Sequence, residues 1–268
     1  MFFLILEVIF PNMVGFFIKK AFFDGWDNLI AMVLFNIAHM VFLLLALGIL
    51  YTFGANPRVG ISLLAILLMV YSVFDAAQAS AVHGWASYRA NSIQDFRSGL
   101  SRNYRHGILL GIVRIIMVFV CLIVLPFYFR AGGIFTIISM VLFWFSLSAL
   151  LAMNYFMPLS LSLPGDRPMK TLKKCFIVLA DNVGFSVFFG IYSIVCAVFS
   201  IITVGFLPGL CGMQLASMDA VRLLMFKYDY LEEHPDERGR RLPWEDLLWE
   251  EQEKVGPRSL KNMIFPWK

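Results

Sequence analysis

Six stretches of this sequence are each long and apolar enough to cross a lipid bilayer, and that property leaves few folds open. Asn28 to Gly54, Ile61 to Val82, Ile108 to Phe129, Ile134 to Met157 and Val183 to Phe206 run almost without charge, and Leu207 to Phe226 does so less purely. At a rise of 1.5 Å per residue, roughly 20 helical residues match a hydrocarbon core of about 30 Å. Backbone amides inside lipid must be satisfied within the protein, so runs of this kind become helices packed against one another. Composition agrees, with 60% of the 268 residues hydrophobic and 15% charged, where soluble domains carry about a quarter charged. The expected fold is all-α: a polytopic membrane bundle of six transmembrane helices over residues 1–226, followed by a short cytoplasmic helical tail over 227–268.

The spans come in similar units. Asn103 to Ile112 (NYRHGILLGI) aligns with Asn182 to Ile191 (NVGFSVFFGI), matching Asn103 to Asn182, Gly111 to Gly190 and Ile112 to Ile191. These lie about 79 residues apart, which suits a duplicated membrane unit and is too long for a solenoid repeat. Asn28 takes the same place in a more diverged first copy. The expected unit is a basic amphipathic helix, an Asn that caps the next helix, and two spans, three times over. The ends of the units correspond at Phe74-Asp75-Ala76, Met153-Asn154 and Met218-Asp219-Ala220.

Positively charged loops stay cytoplasmic. Of the 22 Lys and Arg residues, only Arg58 and Arg130 fall on the opposite side of a six-span model, and Arg114 lies within a span. The residues before Asn28 and the tail are therefore expected in the cytoplasm, with the protein in the inner membrane. Net charge +4 is explained by this rule and does not call for nucleic acid. Met1 to Ile18 reads as an interfacial helix or a seventh span. A secretory signal is not expected there, because Lys19 and Lys20 follow the apolar run instead of preceding it. Cys121, Cys175, Cys196 and Cys211 read as buried apolar residues in or beside the spans.

Amphipathic periodicity recurs before the spans, with Ile93, Phe96, Leu100 and Tyr104 opposite Arg97, Arg102 and Arg105, and Ser92 with Asp95 as a capping box. Leu172, Phe176 and Leu179 form such a stripe opposite Lys170, Lys173 and Lys174, and Ile18, Phe22 and Trp26 a fainter one. These helices anchor to the bilayer surface or dock a cytoplasmic partner. In the tail, Pro243 and Gly256-Pro257 bracket a helix whose apolar side holds Trp244, Leu247, Leu248 and Val255; Ile264 and Trp267 follow in a second cluster. A tail this short cannot form its own core. Its apolar side must be covered by the bundle or by a partner protein.

Ionisable groups inside spans are functional candidates by default. Asp75 and Arg114 fall at similar depth and are expected to pair. Asp219 and Arg222, three apart on one helix, are expected to pair locally. Asn154 occupies the matching position in the second unit. Asn36 and His39, one turn apart, are expected to make interhelical hydrogen bonds. No catalytic, cofactor or metal motif is present, and His39, His83, His106 and His234 are too scattered for a metal site.

The stretches FFDGWDNLIAMVLFN (Phe22 to Asn36), FRSGLSRNYRHGILLG (Phe96 to Gly111) and LKKCFIVLADNVGFSVFFG (Leu172 to Gly190) resemble the YesL-like family of bacterial polytopic membrane proteins, over most of Phe17 to Arg222. Where that family often has a Pro closing the first span, this chain has Pro57 only in the turn. The resemblance implies a membrane protein loosely associated with carbohydrate uptake and no known reaction. Together these readings predict a non-enzymatic inner-membrane accessory or scaffold protein; the alternative is a small-solute permease with a polar path near Asp75, Arg114 and Asp219.

Overall fold

The computed structural model describes residues 11–89, 92–237 and 242–258. Among them every regular element is helical. In chain order these are α1 (Pro11–Asp27), α2 (Leu29–Phe53), α3 (Pro57–Ala86), α4 (Ser92–Arg102), α5 (Tyr104–Ala131), α6 (Ile134–Met153), α7 (Phe156–Ser162), α8 (Pro168–Asp181), α9 (Val183–Ile202), α10 (Gly209–Glu233) and α11 (Trp244–Val255). Helix α5 contains a π turn at Val120–Val124, just before Pro126, where the ring removes one amide from the ladder. Five segments are long and apolar enough to cross a membrane: α2, α3, α5, α6 with α7, and α9. The sixth expected span, within α10, is not one of them, because Asp219 and Arg222 interrupt it.

Asn28, Asn103 and Asn182 are each the single residue between an amphipathic helix and a span. Their backbones are alike, with φ and ψ of −112° and 24°, −104° and 4°, and −133° and 44°. The expected capping is absent: none of the three side chains bonds to the amides of the helix that follows. At the second and third junctions the chain bends without leaving the α-helical ladder, since Asn103 N bonds to Gly99 O and Asn182 N to Val178 O. Few amides are therefore left to cap. Instead Asn28 and Asn182 donate back to the carbonyls of Asp24 and Val178, and Asn103 donates to Ser80 Oγ.

Two glycines allow a close contact between α5 and α3. A Cβ on Gly107 would lie 2.8 Å from Val73 Cα, and one on Gly111 would lie 2.6 Å from Met69 Sδ. Four apart on α5, they form a small-residue face that lets α5 approach the α3 backbone. Ser92 Oγ accepts from Trp85 Nε1, so its place is in the α3–α4 contact and not in a capping box with Asp95.

The core is concentrated towards the Asn-junction end of the bundle, where Phe17, Trp85, Tyr155, Phe156, Phe185 and Phe189 are fully buried. Towards the other end the spans expose Leu43, Leu44, Leu122, Phe143 and Trp144, a surface suited to lipid. Helix α1 belongs to the core. Phe17 meets Phe185, Phe188, Phe189 and Tyr192 edge to face. The faint stripe of Ile18, Phe22 and Trp26 is not its buried side, since Phe22 and Trp26 stack on each other in the open. Residues 1–10 lie outside the described residues; from Pro11 onward the segment is a core helix and not a lipid-facing span.

Helices α9 and α10 form a hairpin whose turn lies deep. Asn36 Nδ2 donates to the carbonyls of Phe206 and Pro208, and Asn36 Oδ1 accepts from Cys211 N, each at 2.9 Å. Gly209 has φ +63°, and a Cβ there would overlap the Asn36 amide. Gly205 likewise sits beside Met40. Asn36 and Met40 lie about 11 and 17 Å along α2, a helix roughly 37 Å long. The turn thus stands less than halfway up the first span. Ser200 and Thr203 satisfy Gly209 N and Leu207 N, as backbone in an apolar layer requires. Ile201, Ile202 and Val204 stay exposed around it.

Candidate functional site

Two polar assemblies stand out, one within the spans and one at the base of the bundle. In the first, Arg114 Nη2 on α5 lies 2.5 Å from Asp75 Oδ2 on α3, so the expected pair is present. Arg114 Nη1 donates to Ser72 Oγ at 3.2 Å, and its guanidinium lies over the Tyr71 ring. From α10, Gln214 Nε2 donates to both the carboxylate and the carbonyl of Asp75, at 2.9 and 3.0 Å, while Gln214 Oε1 accepts from Gln78 at 2.9 Å. Sequence reading overlooked both glutamines, although amides within apolar runs are themselves a signal.

This pair borders a cavity of about 480 Å³ among six helices, α3, α5, α6, α7, α9 and α10, lined also by Leu110, Asn154, Ser193, Met213 and Ser217. Arg114 keeps 31% of its side chain exposed to that space. A guanidinium has five N–H donors and no acceptor, and only part of that capacity is used by Ser72 and Asp75. Asn154 lines the same cavity. The walls are otherwise largely apolar, so the arrangement suits a small molecule with a hydrogen-bond-accepting group and an apolar body.

Asn36 makes the expected interhelical bonds, but His39 does not. Both its ring nitrogens are buried without a hydrogen bond, and it packs edge to face on Tyr71 and Phe74. Among the described residues no group of His, Cys, Asp or Glu could hold a metal ion. Cys175, Cys196 and Cys211 are buried and Cys121 is exposed.

The second assembly is one that sequence reading did not find. Lys20, on α1, is fully buried. Its Nζ donates to Asp24 Oδ2 at 2.7 Å, to Tyr88 Oη at 3.0 Å and to Ala86 O at 3.1 Å. Asp219 Oδ1 and Glu251 Oε2 lie 3.5 and 3.6 Å from the same nitrogen. The expected local pairing of Asp219 with Arg222 is replaced: Arg222 reaches the tail, with Nη2 2.8 Å from Glu251 Oε1 and Nε 3.1 Å from Oε2. A bidentate carboxylate is the better partner for a guanidinium fork. Asp219 therefore does not join Asp75 and Asn154 at the cavity.

Burial and charge set the titration here. Burial alone would lower the Lys20 pKa, but Asp219 and Asp24 outweigh it and hold the ammonium above its usual range. Burial pushes Asp24 up despite Lys20 beside it. Burial would also raise Glu251, yet Arg222, Lys20 and Lys254 hold it down at about 2. Burial drives the Tyr88 phenol to about 12.

The tail closes over this assembly. Trp244, Leu248, Glu251 and Val255 of α11 are buried and Leu247 packs on the core. Lys19 Nζ donates to Gly256 O at 2.9 Å, and Arg258 holds Asp27 with two contacts of 2.8 Å. Of the two covers expected for the face of Trp244, Leu247, Leu248 and Val255, the bundle or a partner, the chain's own bundle thus supplies it. Ile264 and Trp267 lie outside the described residues. The expected boundary at 226/227 falls within α10, which continues to Glu233.

Compared with protein-family models, curated proteins and solved structures, the chain matches none. What it does must be argued from its own geometry.

Proposed function

We propose that this chain is a non-enzymatic, multi-pass protein of a bacterial inner membrane, associated with transport, and that it takes a small solute beside Asp75 and Arg114. The observation that carries this reading is the cavity itself: a space of about 480 Å³ set against a charge pair inside the spans and lined by Arg114, whose guanidinium has N–H capacity to spare, and by Asn154. Charges are retained at such depth where they serve a path or a ligand. Six membrane-embedded segments with both flanks cytoplasmic remain the topology most consistent with the basic residues, and the like geometry of Asn28, Asn103 and Asn182 supports a threefold repeat of one unit. Kinship with the YesL-like family rests on the three stretches quoted above and accords with an uptake-related role.

A scaffold role through the tail has lost its main support, because the apolar side of α11 is covered by the chain itself. Trp249 and Ile93, both exposed on the polar end, are what a cytoplasmic partner would meet. A ligand screen separates the readings. Sugars, amino acids and short carboxylic acids are added to the purified protein and melting is followed. At least one class should raise Tm in wild type, as any ligand specific to the folded state does, and lose that effect in Arg114→Gln. If no class shifts Tm and proteoliposomes take up none of them, the solute-binding reading fails.

A further inference from the structure

The charge assembly at the base of the bundle does not balance, and the imbalance is local. Glu251 is matched by Arg222 at 2.8 Å and by Lys254 at 3.3 Å. That leaves Lys20 as the one cation against two buried carboxyl groups, Asp24 and Asp219. Asp24 takes the hydrogen bond from Lys20 Nζ at 2.7 Å. Asp219 is fully buried, stands 3.5 Å from the ammonium, and neither of its oxygens receives a hydrogen bond. Yet the Asp24 and Asp219 carboxyl groups are within hydrogen-bonding reach of each other. Two carboxylates have no proton to share, so as ions they only repel. One added proton converts that contact into a hydrogen bond and removes the excess buried charge.

We infer that Asp219 and Asp24 form a proton-binding site that holds one shared proton at neutral pH, borne by Asp219, and that this proton keeps α11 closed over the bundle. Every charged or titratable group around it is accounted for. Lys20, Asp24 and Asp27 come from α1, with Asp27 held by Arg258. Tyr88 follows α3 and bonds Glu251 Oε2 at 3.1 Å; His83 of α3 and Tyr192 of α9 lie further out. Asp219 and Arg222 come from α10, and Glu251 and Lys254 from α11. Arg222 acts on Asp219 only at longer range and is taken up by Glu251, so among the described residues Lys20 is the one cation in contact with Asp24 and Asp219. Release of the proton leaves a net negative charge in a closed site. Asp24 and Asp219 are fixed in the core on α1 and α10, so the relief available is to open the site to water, and α11, which brings the third carboxylate near Lys20, that of Glu251, and lies over the site, is the element whose departure does so.

The site lies outside the intramembrane cavity, so the inference stands or falls apart from the solute reading. Its test is infrared titration of the full chain in detergent, from neutral to alkaline pH, with limited proteolysis of the tail at each point. Wild type should show the carbonyl stretch of a protonated carboxylic acid at neutral pH, losing it in a single-proton step together with the protection of α11. Asp219→Asn, neutral and able to donate to Asp24, should lack the band and keep α11 protected into the alkaline range. Lack of the band in wild type at neutral pH overturns the inference. So does its persistence in both Asp219→Asn and Asp24→Asn. Should Asp219→Asn fail to fold, the wild-type titration decides: a band lost without any change in tail protection rules out the coupling.

Discussion

Single residues show where physical rules reached and where they stopped. Depth along a helix follows from 1.5 Å per residue, and a charge inside an apolar layer needs an opposite one, so Asp75 and Arg114 could be matched from the sequence. Removing one member of a buried pair costs about 3 to 5 kcal/mol. With Arg114 facing a cavity, the lower end applies. Asp75→Asn and Arg114→Gln should each lower Tm by more than the double variant does, and additive losses in that cycle would show that the two act independently. Lys20 was illegible for the opposite reason. A lysine that follows an apolar run looks like any loop charge on the cytoplasmic side, and nothing nearby in sequence hints that Asp219 and Glu251 will surround it. Glu251 gives a prediction of its own. Its folded pKa of about 2 lies below the ordinary 4.5, so its contribution to stability is complete above 4.5 and is lost as pH falls towards 2. Acidification through that window should make α11 cleavable by an acid-active protease, whereas Glu251→Gln should be cleaved equally readily at pH above 5.

At the scale of elements, the contact between α3 and α5 should respond unequally to two similar changes. At Gly107 the neighbour is the Val73 backbone at 2.8 Å, which cannot yield; at Gly111 it is the end of a flexible methionine. Gly107→Ala should therefore lower stability by about 1 to 3 kcal/mol through overpacking. Gly111→Ala should be close to neutral, since Met69 can rotate and alanine gains about 1 kcal/mol of helix propensity over glycine. Detergent melting of the two variants side by side checks the order, and equal losses would mean that α3 shifts as a whole. The spans themselves were readable because apolar length is a local property. The Asn junctions were located correctly and misjudged in role, because whether a helix starts or bends at an asparagine depends on the residues before it remaining helical.

For the whole molecule, the unexpected element is the turn between α9 and α10, which stops beside Asn36 and Met40 of α2. Val204 sits in it, exposed yet level with the middle of α2, so it should face lipid. In a variant lacking the native cysteines, Val204→Cys should resist a membrane-impermeant thiol reagent added from outside, while Asn56→Cys, at the turn between α2 and α3, should react. Prompt labelling at position 204 would mean that this hairpin crosses completely. Apolar composition did not reveal the difference, because Val183–Ile202 is long enough to span. What shortens the reach of the hairpin is Asn36 gripping the backbone from Phe206 to Cys211, a contact between distant parts of the chain that no local window contains.

The enclosure of Lys20 also bears on how the chain is made. Its helix leaves the ribosome well before Asp219 and Glu251 do. Through most of synthesis that lysine must remain hydrated or be held by the insertion machinery, since its permanent surroundings do not yet exist. The arrival of α11 then closes the site: until it docks, Asp24 and Asp219 can meet the ammonium, but Arg222 lacks the Glu251 carboxylate that holds it and the base of the bundle stays open to water.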